Sequence, residues 1–344
     1  MRSRRLDWLA APLLLCLPLL AGCSGMSVTF AFGPPDLSLK SVTVAQDAGA
    51  TSASPVVAQI DLDGIIADRE SFALLGPGEN PVNELVVRLA QAAGDDDVRA
   101  IVLRINSPGG TVAASDLLYE EIRHFRASTE KPVVVSMGEV AASGGYYAAL
   151  AADEIVAQPA TITGSIGVIV PTINVSGGLS RLGIDSRSLT SGPNKDLANP
   201  LEPRDPAHEA ILQGIVDEFY VTFRNRVIER RPGLDASRID ELTDGRVVTG
   251  AQAHRAGLVD HTGDVRVAFE RAKSLAGLGP SRLVKLLYDE SNRPRSPYSP
   301  TASAPTPATK TSNVHINQGI QLNAGATSWS TRELRPMAYY LWLP

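Results

Sequence analysis

The sequence predicts an α/β domain built on a mainly parallel sheet. Short apolar, β-rich runs alternate with amphipathic helical patterns across 55–288. Several of those runs stop at glycine-bracketed turns, where an open α/β sheet builds its site. The 344 residues are 44% apolar, enough to bury a substantial core. Charged residues make up 20% and the formal net charge is −5, so no basic excess points to nucleic acid.

Taken in order, 55–62 is a strand ending at the Asp63-Gly64 turn, and 83–92 is a helix with Leu85, Val86 and Leu89 on one side. A second strand over 98–105 is stopped by Asn106-Ser107-Pro108-Gly109-Gly110, and a helix follows over 111–127. The run 132–136 is a strand buried on both faces, 141–151 a helix and 154–157 a short strand. A long helix over 205–230 and two shorter ones over 250–256 and 264–276 complete the domain.

The two ends have other compositions. Arg2, Arg4 and Arg5 precede a short apolar run, 8–20, that is too short for a comfortable transmembrane helix. It ends in Leu20-Ala21-Gly22-Cys23, which resembles the lipobox of bacterial lipoproteins. That resemblance implies a signal peptide over 1–22 and a lipid on Cys23, giving an exported, envelope-bound protein. An ordinary secretory signal or a single anchor helix is the alternative. Ser24 after the cysteine is similar to the outer-membrane sorting pattern of Gram-negative lipoproteins. Cys16 leaves with the signal, so the mature chain forms no internal disulfide. Residues 23–54 are expected to be a lipid tether, and 289–344 a Pro/Ser/Thr-rich disordered tail with an apolar end.

Three glycine-bracketed motifs are candidates for chemistry. In 106–110, two glycines after a proline turn the backbone sharply and present bare amides at a helix start, as an oxyanion needs. In Ala142-Ser143-Gly144-Gly145-Tyr146-Tyr147, a serine among small residues at a strand-to-helix turn exposes a hydroxyl beside free amides, or else serves as an ordinary N-cap. Thr163-Gly164-Ser165-Ile166-Gly167-Val168 is a turn into an apolar strand, compatible with structure alone.

A nucleophilic serine needs a base. None of His124, His208, His254, His261 and His315 sits in a motif that suggests one. Lys195 lies in Thr190-Ser191-Gly192-Pro193-Asn194-Lys195-Asp196, a loop after a strand-like run at 185–189. To act as a base near neutral pH such a lysine must be withdrawn from water and from anions, with Asp196 facing away. An exposed loop lysine is the alternative.

Together these motifs resemble the signal peptide peptidase A (protease IV) family of Ser–Lys serine proteases, in family order and spacing, over 55–287. The resemblance implies a ClpP/crotonase-like α/β spiral of βαβ units, in the short single-domain form, over 55–288. It implies Ser143 as nucleophile, Lys195 as general base, Ser165 orienting the lysine, and oxyanion-hole amides from Gly144 and Gly110. It also implies that the substrates are cleaved signal peptides and other unfolded or apolar segments. Homo-oligomers with sites shared between subunits are implied as well, and no cofactor or metal. Two features depart from the pattern: a lipobox in place of a membrane anchor, and Pro193-Asn194 before the lysine.

A crotonase-type acyl-CoA enzyme would share the fold, but an exported location argues against a cytoplasmic substrate. A non-catalytic lipoprotein binding apolar peptides is the other alternative. The chain end, Arg335-Pro336-Met337-Ala338-Tyr339-Tyr340-Leu341-Trp342-Leu343-Pro344, is apolar and is read as a docking strand, a disordered end or a pseudo-substrate for the protein's own groove.

Overall fold

The computed structural model describes residues 39–69, 72–73, 76–77, 80–288, 294–299, 301 and 339–341. The expected signal peptide, Cys23 and most of the expected tail lie outside the described residues. The first half comprises β1 (Lys40–Gln46), β2 (Val56–Asp63), the short pair β3 (Phe72–Ala73) and β4 (Gly76–Pro77), α1 (Pro81–Gly94), β5 (Val98–Ser107), β6 (Gly109–Thr111), α2 (Val112–Thr129) and β7 (Val133–Ala142). It continues with α3 (Gly144–Ala149), β8 (Glu154–Ala157), β9 (Ile162–Gly164), α4 (Ser176–Arg181) and α5 (Pro206–Arg230). The remainder is α6 (Ile239–Leu242), β10 (Val247–Thr249), α7 (Gly250–Ala256), β11 (His261–Thr262), α8 (Val265–Leu275), β12 (Arg282–Leu287) and β13 (Tyr339–Leu341).

The main sheet runs β1-β12-β2-β5-β7-β8-β11, with β9 and β10 branching from β7. Every pair from β12 to β11 is parallel, as is β7 with β9; β1 with β12 and β9 with β10 are antiparallel. A parallel sheet needs helices on both faces, and the strand residues sort accordingly. Ala58, Ile60 and Leu62 of β2, Ile101 and Leu103 of β5, and Val135 and Met137 of β7 pack with Leu85 and Leu89 of α1 and Leu118 and Ile122 of α2. Val57, Val102 and Val134 face the other way, onto Val265, Ala268, Phe269 and Ala272 of α8. Each such large apolar side chain withdrawn from water contributes about 1.5–3 kcal/mol.

Helix boundaries follow their caps. Asn80 accepts from the amides of Val82 and Asn83, with Pro81 opening α1. Thr249 and Gln252 form a capping box on α7, which Gly257 closes in the left-handed region (φ 80°).

Several expectations differ, three of them in the ends and the lysine loop. Residues 39–54 are not all tether: β1 pairs with β12 from Lys40↔Leu287 to Gln46↔Arg282, and Asp47 accepts from the Ser281 amide at 2.9 Å. The alternation in Lys-Ser-Val-Thr-Val-Ala-Gln is too short to stand out, yet it covers the open edge of β12. The tail is not disordered throughout, because Lys285 and Gln59 bind the carbonyls of Ser299 and Pro297. The strand expected at 185–189 is absent: Asp185-Ser186-Arg187-Ser188-Leu189 is largely polar, Leu189 is 92% exposed, and among the described residues no strand pairs with this run.

Candidate active site

The site grows from an irregularity in β7. Its first half pairs with β8 (Val134↔Glu154 to Met137↔Ala157) and its last residues with β9 (Val140↔Ile162 to Ala142↔Gly164). Against β5 the register jumps from Ile105↔Met137 to Ser107↔Ala141. Asn106 occupies the jump, its Oδ1 accepting the Val140 amide at 3.2 Å. Two threonines fasten the redirected end: Thr161 Oγ1 donates to the Gly138 carbonyl and Thr163 Oγ1 to that of Ala141, both at 2.6 Å.

Ser143 sits at the end of that strand. Its φ of 52° and ψ of −116° lie off the ordinary regions for an L residue, a strain of about 1–3 kcal/mol. The surroundings hold it there: its N–H donates to the Gly164 carbonyl at 2.8 Å and its carbonyl accepts from Tyr147 at 2.8 Å. The residue is 1% exposed, and its Oγ is buried with no hydrogen-bond partner. The hydroxyl does not cap α3, so the N-cap alternative fails. A buried hydroxyl without a partner costs about 1–3 kcal/mol, and that cost calls for a chemical reason.

Ser165 is its neighbour. Ala142 and Gly164 are paired across β7 and β9, so the two serines are the next residues on adjacent strands. Ser165 also has a φ of 52°, and its N–H donates to the Arg246 carbonyl at 2.7 Å. It lines a cavity of about 490 Å³ with Ile166, Val168, Val216, Tyr220 and Asp244.

The glycines complete the surroundings. Gly144 opens α3, and first-turn amides have no partner within their helix. A Cβ on Gly145 would stand 2.9 Å from the Ser107 carbonyl oxygen. At Gly110 a Cβ would fall 1.7 Å from the Ile66 carbonyl oxygen, so no side chain fits. Ile66 takes one edge of β6, donating to Gly109 at 2.9 Å and accepting from Thr111 at 2.8 Å. Backbone groups alternate along a strand, so the N–H and C=O of Gly110 point to the opposite edge. There β13 lies antiparallel, with Tyr340 opposite Gly110.

Beneath the site, Tyr147 Oη donates to Asp116 at 2.7 Å, and burial raises its pKa well above the ordinary phenol value. Burial likewise pushes up Tyr146, whose hydroxyl donates to the Leu258 carbonyl at 2.8 Å. Both tyrosines are neutral anchors for α3.

The fold thus gathers Ser143, Ser165, Gly144 and Gly110, but it does not bring Lys195 to the hydroxyl, since Ser143 Oγ has no partner. Lys195 is exposed, closing a turn with its amide on the Gly192 carbonyl at 3.2 Å. Of the histidines, His261 pairs with Glu154 at 3.2 Å and His208 meets the Pro193 carbonyl at 2.7 Å. Asn106 and Ile66 are the site residues that sequence reasoning missed: the first was read only as part of a turn, and the second carries no local signal. Among the described residues, no group of three or more His, Cys, Asp and Glu is placed to hold a metal.

Comparison with known proteins places the chain among peptidases. The model of "Peptidase family S49" matches residues 126–279, a span that holds Ser143, Ser165 and Lys195. A putative protease of Synechocystis is 34% identical over 233 residues, covering 68% of this chain and 79% of that protein. A putative signal peptide peptidase of Enterococcus faecium is 30% identical, covering 68% of this chain and 67% of its own length. Protease 4 of Salmonella typhi is 37% identical over 243 residues, and the match spans only 37% of that longer protein. The parallel sheet with its βαβ crossovers is the ClpP-like α/β fold of such peptidases. The chain belongs to the S49 family of peptidases.

Proposed function

We propose that this chain is a serine endopeptidase in which Ser143 is the nucleophile and Lys195 the general base. The observation that carries the reading is the buried, unpartnered Ser143 hydroxyl, held in a strained turn between two glycine-bracketed strands. In the reaction, neutral Lys195 takes the Oγ proton as the oxygen bonds to the scissile carbonyl carbon. The carbonyl oxygen gains the charge, and the amides of Gly144 and Gly110 receive it. Collapse breaks the C–N bond, the lysine ammonium protonates the departing amine, and water then hydrolyses the acyl-enzyme with the lysine again as base. Ser165 orients the amine.

Such a base must be withdrawn from water, and a second copy of the chain supplies that burial. Residues 169–228 carry apolar side chains with no cover of their own: Ile173 is 68% exposed, Leu182 76% and Leu189 92%. Only Phe223 and Val227 of the 25-residue α5 are buried. Large apolar side chains left uncovered along one stretch of chain support a homo-oligomer with the dyad shared between subunits. The substrates are cleaved signal peptides and other unfolded, apolar polypeptides. Lipid on Cys23 holds the enzyme at a membrane of the cell envelope, facing the periplasm in a Gram-negative host. No described helix is long and apolar enough to cross a membrane.

The test is hydrolysis of an apolar peptide by the assembled enzyme. Lys195→Ala is expected to lower kcat by about 10²–10⁴. An unchanged kcat in Lys195→Ala rejects the lysine as base.

A second reading concerns how substrate is held. An extended peptide adds to a free strand edge through its backbone, and β13 lies on the β6 edge to which the Gly110 amide points. In this reading Tyr339–Leu341 is a pseudo-substrate segment. Removing all residues after Ser312 is expected to lower KM severalfold with kcat unchanged, as loss of a tethered competitor does. An unchanged KM rejects it.

A further inference from the structure

We infer that His208 is a positioning residue that pins the loop carrying Lys195, an inference that rests on Lys195 being the general base. The loop is closed at its base by Glu202, whose Oε1 accepts from the Ser188 amide at 2.5 Å and from Asn199 Nδ2 at 3.1 Å. Asn199 Nδ2 also donates to Ser188 Oγ at 3.1 Å. That clasp leaves the tip, where the lysine sits, to be held by other means.

Two devices hold it. Gly192 to Lys195 form a β-turn closed by the Lys195 amide on the Gly192 carbonyl at 3.2 Å. Proline at the second position of the turn presets its φ. The Pro193 carbonyl is left over by this turn, and His208 Nε2 meets it at 2.7 Å. A carbonyl only accepts, so Nε2 carries the proton and donates. A neutral imidazole in that tautomer does this as well as a protonated one, and the pin needs no change of charge.

Among the described residues this is the hydrogen bond that ties the tip of the loop to a helix. His208 lies in the first turn of α5, whose N-cap Asp205 accepts from the Ala207 amide at 2.8 Å. Its side chain is 15% exposed, with Asp205 Oδ2 4.0 Å from Nε2. It lines a cavity of about 250 Å³ with Thr190, Pro193, Asp196, Asn199 and Glu202. The far end of α5 is fixed to the domain by Phe223 and Val227 and by Arg230, which donates to the Leu150 and Ala152 carbonyls at 2.8 and 2.9 Å. Those carbonyls follow the helix that begins at Gly144. A rigid helix thus links the serine's support to the lysine's turn. The signal for this in the sequence is absent, because fifteen residues separate the partners.

Positioning errors of about 1 Å cost on the order of 100-fold in rate. In the assembled enzyme, His208→Phe is expected to lower kcat about tenfold to 100-fold with KM unchanged. His208→Gln, which keeps a donor of similar reach, is expected to recover to within a few-fold of wild type. In a Lys195→Ala background, His208→Phe is expected to add no further loss. Full activity in His208→Phe, failure of the glutamine to rescue, or a loss that adds to that of Lys195→Ala overturns the inference. An active Lys195→Ala enzyme instead rejects the base on which it rests.

Discussion

Alanine at position 143 is expected to abolish hydrolysis, by on the order of 10⁶ in kcat, while leaving the protein at least as stable as before. The two halves of that expectation share one cause. The hydroxyl is buried without a partner, so it contributes nothing to folding and its removal relieves the cost of burying it, about 1–3 kcal/mol. The strained backbone stays as it is, because the Gly164 and Tyr147 hydrogen bonds that impose it are made by the main chain. Peptide hydrolysis and a thermal melt on the same preparation check both halves. Residual activity near wild type, or an unfolded variant, contradicts the role given to this serine.

The second large effect is on stability. Lys285 is fully buried and Asp61 side-chain exposure is 3%; Nζ stands 2.6 Å from Oδ2. Around them Gln59 Nε2 donates to Asp61 Oδ1 at 2.7 Å, Thr301 Oγ1 donates to Oδ2 at 2.5 Å, and Lys285 also donates to the Ser299 carbonyl at 2.5 Å. The pair therefore joins β2 and β12 and holds Ser299 and Thr301 against them. Lys285→Ala leaves the carboxylate buried and uncompensated, a loss of about 3–5 kcal/mol. That is a large part of the ~5–15 kcal/mol by which a domain is stable. In a melt it corresponds to a fall of roughly 6–20 °C for a domain of this size. Asp61→Leu combined with Lys285→Met is expected to recover most of the loss, since an apolar pair removes the stranded charge. A single variant as stable as wild type contradicts this account of the strap.

How much was legible in the sequence depended on whether the signal was local. Residues 250–256 were read as a helix with the bounds of α7, because a capping box and a left-handed glycine enclose it. The strand beginning at 98 and its glycine stop were legible from β-rich periodicity. The end of β7 was not: the expected strand stopped at 136, whereas β7 runs to Ala142. Its continuation depends on Asn106 and two threonine hydroxyls, which act across strands. The motif at 163–168 is expected to lead into a strand, yet the strand β9 ends at Gly164, its first glycine, because Ile162–Gly164 pair with both β7 and β10. Motif order alone marks Ser143 and Ser165 in the sequence, and only the fold explains why they are neighbours. Motif order marks Lys195 as well, yet it stands apart from them, on a loop whose anchor at His208 no local pattern marks.

The most direct test of the Ser143–Lys195 dyad is labelling of the assembled enzyme with a serine-reactive covalent probe, followed by peptide mass mapping. One adduct is expected, on Ser143, and it is expected to fall below detection in Lys195→Ala while that variant keeps its fold. An adduct on another residue, or undiminished labelling of Ser143 without the lysine, would contradict the account.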